Sequence, residues 1–367
     1  MQGRYVQTVR DVFLGAPEVL SLSARYALGI PVSDDDVRAA LPQEALAAIR
    51  YAEQQHAGRV RRTTGEPAVA HPVDVALRAV DLGYDAGVVI RCILHDVIED
   101  RCTDLASLTV GMADMEERFG REVARDVGVL TNAYGIAIDE VKPLLPRSLP
   151  FTDESIQLIT ATLRDHRAGL GALVARDFSR VFDELDHFLP TIDVARGAER
   201  ARFDAGYSVI GEAALQSYGL YAQAIADETR SRLGASPRER ESVIVVKYLD
   251  VVDNLRTVEV ATWRPLEKLL LKAEALLDRS YYLTQEMRAR SITSTFDAAY
   301  DYTKTTLVGQ LDDRRRALGF LADSRFAPLG RYLSAQVERL QDKYKVASPV
   351  ETLRRLRDEI RAANAAN

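Results

Sequence analysis

At 367 residues the chain is long enough to bury one large hydrophobic core or two modest ones. Apolar residues make up 47% and charged residues 28%, a globular balance that excludes a disordered or fibrous protein. The formal net charge of -6 excludes the broad basic face that nucleic acid requires, while leaving room for a local basic pocket around a small phosphorylated ligand. Cys92 and Cys102, the two cysteines, are too few for a disulfide framework, so a reduced, cytoplasmic setting is expected. Met1–Tyr5 opens no apolar stretch of signal-peptide length, and no window reaches the roughly 18 apolar residues of a membrane span, so no membrane partner is expected.

Helical spacing dominates and strand-like alternation is nearly absent, which predicts an all-α fold. One or two short helices are expected over residues 1–30, then an acidic N-cap cluster at Ser33–Asp36. The helix it opens runs through about Glu53, with Val37, Leu41, Leu46, Ile49 and Ala52 on one face. A polar loop, Arg61 to Pro67, leads to His71-Pro72 at a helix start, since proline is tolerated in the first turn. That helix ends at Leu82 with Gly83 as its C-cap, and Asp85 begins the next. Asp104 caps a helix to Phe119-Gly120, and Arg121 to Leu130 forms another. Residues 136 to about 206, with Pro143, Pro146 and Pro150 near their start, predict one or two extra helices with loops. Periodicity returns from Tyr207 to Leu233. Ser236-Pro237-Arg238-Glu239 is a capping box that opens a helix apolar nearly all round, through Val243, Ile244, Val246, Leu249, Val252 and Leu255. Four amphipathic helices complete the chain: Leu266–Met287, Ser291–Ala322, Pro328–Tyr344 and Pro349–Ala363.

Two polar groupings break this apolar pattern. His95-Asp96-Val97-Ile98-Glu99-Asp100 follows directly on the apolar run Val88–Leu94, as if one helix ran from a buried face into four ligand-type side chains. Asp250 and Asn254, four apart, share one face of the buried helix after Ser236. Buried charge is costly unless it is paired or binds a metal. His71, His95, Asp96 and Asp250 can together hold one divalent transition ion such as Mn, Fe or Zn and leave positions open for water. A water on such an ion becomes a nucleophile at neutral pH. Glu99, four residues after His95, would hold or deprotonate it, and Lys247 and Arg256 would add positive charge. His56, His166 and His187 have no partners at ligand spacing and read as surface or core residues; Trp263 reads as a packing anchor. Arg314-Arg315-Arg316, preceded by Asp312-Asp313, reads as a solvated, self-neutralised face.

Gly65-Glu66-Pro67-Ala68-Val69-Ala70-His71-Pro72, His95–Asp100 and Val246–Thr257 resemble, in order, the motifs of the hydrolase domain of the RelA/SpoT proteins and their small stand-alone relatives, within the HD-domain phosphohydrolase superfamily. The resemblance covers roughly residues 45–135 and 207–260. It implies an all-helical HD-domain bundle binding one Mn2+ through His71, His95, Asp96 and Asp250, and removing the 3′-pyrophosphate of guanosine tetra- and pentaphosphate. It implies that Glu99 and Asp100 handle the attacking water and its proton. Arg62 would contact the nucleotide, with Thr64 of the same loop on the substrate side, and Asn254 and Thr257 would line the nucleoside pocket. The chemistry fits, because hydrolysis at a phosphoryl group needs an in-line activated water and a positive centre for the oxygens.

The pattern departs from the family in its substrate shell. Ala68 stands for the usual tyrosine, Thr63 for a lysine, Arg101 for a threonine and Asn132 for a lysine, and residues 136–206 are far longer than in compact members. No synthetase half is visible. The expected layout is N-terminal helices over 1–44, the HD hydrolase domain with its insertion over 45–263, and further C-terminal helices over 264–367. The first expectation is a stand-alone alarmone hydrolase acting on a phosphorylated guanosine nucleotide. An HD-type phosphohydrolase of another nucleotide is the alternative, and a non-catalytic nucleotide-sensing or partner-binding protein the second. A homo-oligomer and a toxin-like synthetase partner are both left open.

Overall fold

A computed structural model describes residues 37, 39–61, 67–202, 206–257, 263–290, 296–320, 327–346 and 349–366. The helices expected over 1–30, the cap cluster at Ser33–Asp36, and Arg62, Thr63 and Thr64 lie outside these residues. The protein is all-α: among the described residues there are eighteen α-helices, and the only β element is an isolated antiparallel bridge between Val60 and Pro67. No helix among them is long and apolar enough to cross a membrane. They fall into two compact units, one formed up to His95 and again from Glu228, the other by Asp96–Asp227.

The first unit begins with α1 (Leu46–Gln55), which buries Ala48, Ile49, Tyr51 and Ala52. Helix α2 (Ala70–Asp81) carries His71-Pro72 in its first turn. It stops where Gly83 takes φ +79°, a conformation that only glycine adopts without cost. Helix α3 (Ala86–Leu94) starts on Asp85, whose side chain accepts the Val88 N–H at 3.0 Å. Its Val88, Val89, Cys92, Ile93 and Leu94 are buried, so it packs as an apolar rod against α1 and α2.

The helix does not run on into the ligand cluster, as the sequence led us to expect. It ends at Leu94, and a separate short helix, α4 (Val97–Arg101), follows. Asp96 at φ -98°, ψ -9° lies near the sparsely populated bridge region, where the helical ladder is interrupted. His95 Nδ1 takes the Cys92 carbonyl oxygen at 2.7 Å, satisfying one of the orphan carbonyls at the end of α3. The histidine thus closes the end of α3, with its ring oriented by the Cys92 carbonyl.

Helix α4 begins the second unit. Helix α5 (Leu105–Phe119) opens on a capping box of Asp104 and Ser107, and Gly120 at φ +83° ends it. Helices α6 (Arg121–Leu130) and α7 (Ala133–Val141) follow, the latter capped by Asn132. Four helices occupy the remainder of the 136–206 stretch where one or two were expected: α8 (Asp153–Gly169), α9 (Ala172–Asp177), α10 (Ser179–Phe188) and α11 (Val194–Ala201). Two of these, of six and eight residues, are too brief to display a helical period. Ile159, Leu163, Phe182, Leu185 and Leu189 are buried where α8 meets α10. The helical periodicity read over Tyr207–Leu233 is carried by two helices, α12 (Val209–Gln216) and α13 (Tyr218–Ser231). The Ser217 hydroxyl at the break donates to the Ala214 carbonyl, competing with the backbone ladder.

The first unit resumes with α14 (Pro237–Thr257), opened by the expected box: the Glu239 N–H donates to Ser236 Oγ at 3.4 Å and the Ser236 N–H to Glu239 Oε2 at 3.3 Å. Its apolar residues are buried on all sides, and it packs against α2 and α3. Helices α15 (Trp263–Ala289), α16 (Phe296–Phe320), α17 (Ala327–Tyr344) and α18 (Pro349–Ala366) complete the unit, with α16 packed on α14, α15, α17 and α18. The arginine run is a solvated face only in part. Arg315 and Arg316 pair with Asp312, but Arg314 is buried and donates to the Leu255 carbonyl, because its turn of α16 faces α14.

Candidate metal centre

Three helices of the first unit converge on a small polar volume inside an apolar core. His71 comes from the first turn of α2, His95 from the end of α3, and Lys247, Asp250, Asp253 and Asn254 from one side of α14. His71, His95, Lys247, Asp250 and Asp253 are buried, Asn254 is half-buried. The imidazole rings meet edge to face with centroids 5.2 Å apart.

The hydrogen bonds fix which ring nitrogen does what. His95 Nδ1 is 2.7 Å from the Cys92 carbonyl oxygen, and His71 Nδ1 is 2.7 Å from Asp253 Oδ2. A carbonyl and a carboxylate only accept, so both Nδ1 atoms carry a proton and donate. Both Nε2 atoms then face Asp250 Oδ1, His71 at 3.0 Å and His95 at 3.7 Å. Two imidazole lone pairs and a carboxylate oxygen repel one another unless positive charge lies among them. His71, His95 and Asp96, the last peptide-bonded to His95, offer ligand atoms that all lie within 4.8 Å of one another. Buried imidazole nitrogens with carboxylate oxygens are the donor set of a divalent transition metal, so the residues fit the ion that the sequence implies.

Asp250 is held on every side. Its Oδ2 pairs with Lys247 Nζ at 2.7 Å, and the Asn254 amide donates to its Oδ1. Burial alone would raise its pKa. The Lys247 ammonium beside it outweighs that and holds the carboxyl well below the usual range. Lys247 and Asn254, read from the sequence as substrate contacts, therefore both touch Asp250. Asn254 also accepts from Arg61 Nη2 at 3.1 Å.

Glu99 and Asp100 follow in α4, in the second unit. Glu99 is half-buried and its Oε2 accepts the Asn132 N–H at 3.2 Å, while Asp100 is exposed. Thr257 closes α14, its side chain outside the described residues, as are Arg62 and Thr64 entirely.

Two residues were missed in the sequence. Arg61 reaches Asn254 and lies 3.8 Å from Asp253. Asp253 is fully buried and three residues beyond Asp250, a helical-face spacing that could have flagged it. It also neighbours Arg78, whose guanidinium burial would lower but which Tyr302, Asp253, Asp81 and Asp74 together raise.

Residues 48–137 match the HD domain family. The chain is 37% identical over 89 residues to a guanosine-3′,5′-bis(diphosphate) 3′-pyrophosphohydrolase of Aquifex aeolicus, a match covering 24% of this chain and 12% of that one. It is 31% identical over 121 residues to a probable GTP pyrophosphokinase of Mycobacterium leprae, covering 33% and 13%. It is 26% identical over 185 residues to the bifunctional (p)ppGpp synthase/hydrolase SpoT of Escherichia coli, covering 46% and 25%. The chain thus spans a quarter or less of the length of these relatives. No solved structure matches it. Asp250 and Asp253 lie beyond the stretch matched to the HD domain, and the fold brings their turn of α14 to His71.

Proposed function

We propose that the HD domain of this chain belongs to a metal-dependent phosphohydrolase that removes the 3′-pyrophosphate of guanosine tetra- and pentaphosphate. The observation that carries this reading is the convergence of two pre-oriented imidazole Nε2 atoms on Asp250 Oδ1. His71, His95, Asp96 and Asp250 would hold the ion, with Mn2+ proposed from the resemblance of these motifs to the RelA/SpoT hydrolases. Bound there, a divalent ion supplies positive charge for phosphoryl oxygens and acidifies a water.

The rest of the chemistry falls to side chains. The Glu99 carboxylate takes the proton of the attacking water, and Asp100 passes it toward the leaving oxygen. The water oxygen bonds to phosphorus, the bond from phosphorus to the ribose 3′ oxygen breaks, and pyrophosphate departs. Lys247 and Asn254 keep Asp250 in place, so its geometry does not relax as charge develops. Arg62, Thr64 and Thr257 would contact the nucleotide.

An assay of the manganese-loaded protein against guanosine tetraphosphate and a nucleotide panel tests this reading. Pyrophosphate release from guanosine tetraphosphate is expected. Activity confined to other nucleotides would move the substrate, an outcome favoured by Thr63 and Ala68 standing where the family has lysine and tyrosine. Absence of metal-dependent activity on every nucleotide would sink the hydrolase reading in favour of a nucleotide sensor.

A further inference from the structure

One turn of α14 brackets a single imidazole. Asp250 presents Oδ1 to His71 Nε2 at 3.0 Å, and Asp253, three residues on, presents Oδ2 to His71 Nδ1 at 2.7 Å. The Asp253 contact fixes the ring's orientation and confines its proton to Nδ1, leaving the Nε2 lone pair turned toward Asp250. His95 differs: its Nδ1 donates to the neutral Cys92 carbonyl. The two histidines are thus chemically unequal. His71 donates to an anion, and a hydrogen bond to a carboxylate is roughly twice as strong as one between neutral groups. Asp253 is wholly shielded from solvent, with Arg61 at 3.8 Å from the same Oδ2.

We infer that Asp253 is a positioning residue for the metal centre: by accepting the Nδ1 proton of His71 it fixes that ring's tautomer and angle and makes its Nε2 the stronger of the two imidazole donors. The inference rests on the metal reading given above and extends it to a residue outside the expected ligand set. Outer partners of this kind set ligand basicity and orientation in metal sites generally. Asn254 and Lys247 serve Asp250, and Asp253 serves His71, so α14 supplies one ligand and the support for two.

The test uses Zn2+, a diamagnetic probe, on the full chain. Zinc affinity is measured by chelator competition, and the His71 Nδ1–H by proton–nitrogen correlation spectra of 15N-histidine-labelled, zinc-loaded protein. Asp253→Asn, which keeps the shape and an acceptor oxygen, should weaken zinc about 10-fold and move the His71 ring proton upfield; Asp253→Leu should weaken it about 100-fold and lose that proton to exchange. If the leucine variant does not fold, the asparagine variant alone decides. Zinc affinity equal to wild type in Asp253→Asn overturns the inference, whether or not the ring proton moves. His71→Ala separates the two readings. If it abolishes zinc binding while Asp253→Asn leaves it unchanged, only the role of Asp253 fails. If His71→Ala itself binds zinc like wild type, the metal reading fails.

Discussion

The first unit holds two carboxylates paired with basic side chains, and they are built for opposite ends. Glu274 on α15 has both oxygens filled. Arg339 of α17 forks onto them, with Nη1–Oε2 at 2.8 Å, and Lys343 adds a contact at 3.2 Å. Asp250 on α14 has one cation, Lys247, on one oxygen, and its other oxygen faces two imidazole nitrogens. In both, burial pushes the carboxyl pKa up and neighbouring cations pull it down further than that. Glu274 spends its charge on closing a helix pair near the surface. Asp250 is buried with a single ammonium, and the rest of its contacts are to an amide and two imidazoles. A buried carboxylate ringed by imidazoles and one ammonium is the candidate site, and one clasped by two cations at the rim is a joint.

The sharpest break in that contrast comes from Asp250→Ala. Metal binding and activity should disappear together, read by manganese titration and nucleotide turnover, and retention of both would show the ligand assignment to be wrong. Stability should also fall, by about 3–5 kcal/mol in urea denaturation, because a buried ion pair loses its carboxylate half. Replacing Lys247 by Met in the same chain should return much of that stability and none of the metal. The function and the fold would then be seen to draw on different parts of one residue.

Glu99→Gln should act in the complementary way. Its Oε2 accepts the Asn132 N–H, and a glutamine oxygen can still do so, so the local fold should hold. A general base is lost, and kcat should drop by about 100- to 10,000-fold while manganese affinity stays unchanged. A matching loss of metal would move Glu99 from the water to the ligand set.

How far the sequence disclosed these roles follows from what each signal needs. The capping box at Ser236, the cap at Asp85 and the all-round apolar face of α14 are local patterns, and each is realised as read. His71, His95 and Asp250 were legible because ligand-type residues stand out against apolar neighbours. The break at His95-Asp96 was not, since it depends on a ring closing onto a carbonyl three residues back. Asp253 was passed over although it stands three residues after Asp250 on the same helical face, and Lys247 and Asn254 pointed to substrate when their nearest charge is Asp250. Arg314 read as surface from its charged neighbours, yet its partner is the carbonyl of Leu255 on another helix. Long-range pairing is the part that spacing alone does not encode.

The smallest effect is expected at the joint. Glu274→Gln keeps the shape of the side chain and removes the charge that Arg339 and Lys343 share. Both cations are part-exposed, so solvent screens the pair and the loss near neutral pH should be about 1 kcal/mol. Its pH dependence has a definite sign. The folded carboxyl lies below its ordinary value, so its contribution is present in full above the unfolded pKa of about 4.3 and is lost as pH falls through the lower folded value. The difference in melting temperature between wild type and Glu274→Gln should therefore hold steady through the neutral range and shrink on acidification below that point. Metal affinity and turnover should match wild type throughout. A difference that persists in acid would mean that shape, not charge, closes the α15–α17 pair, and a fall in turnover would erase the line between joint and site.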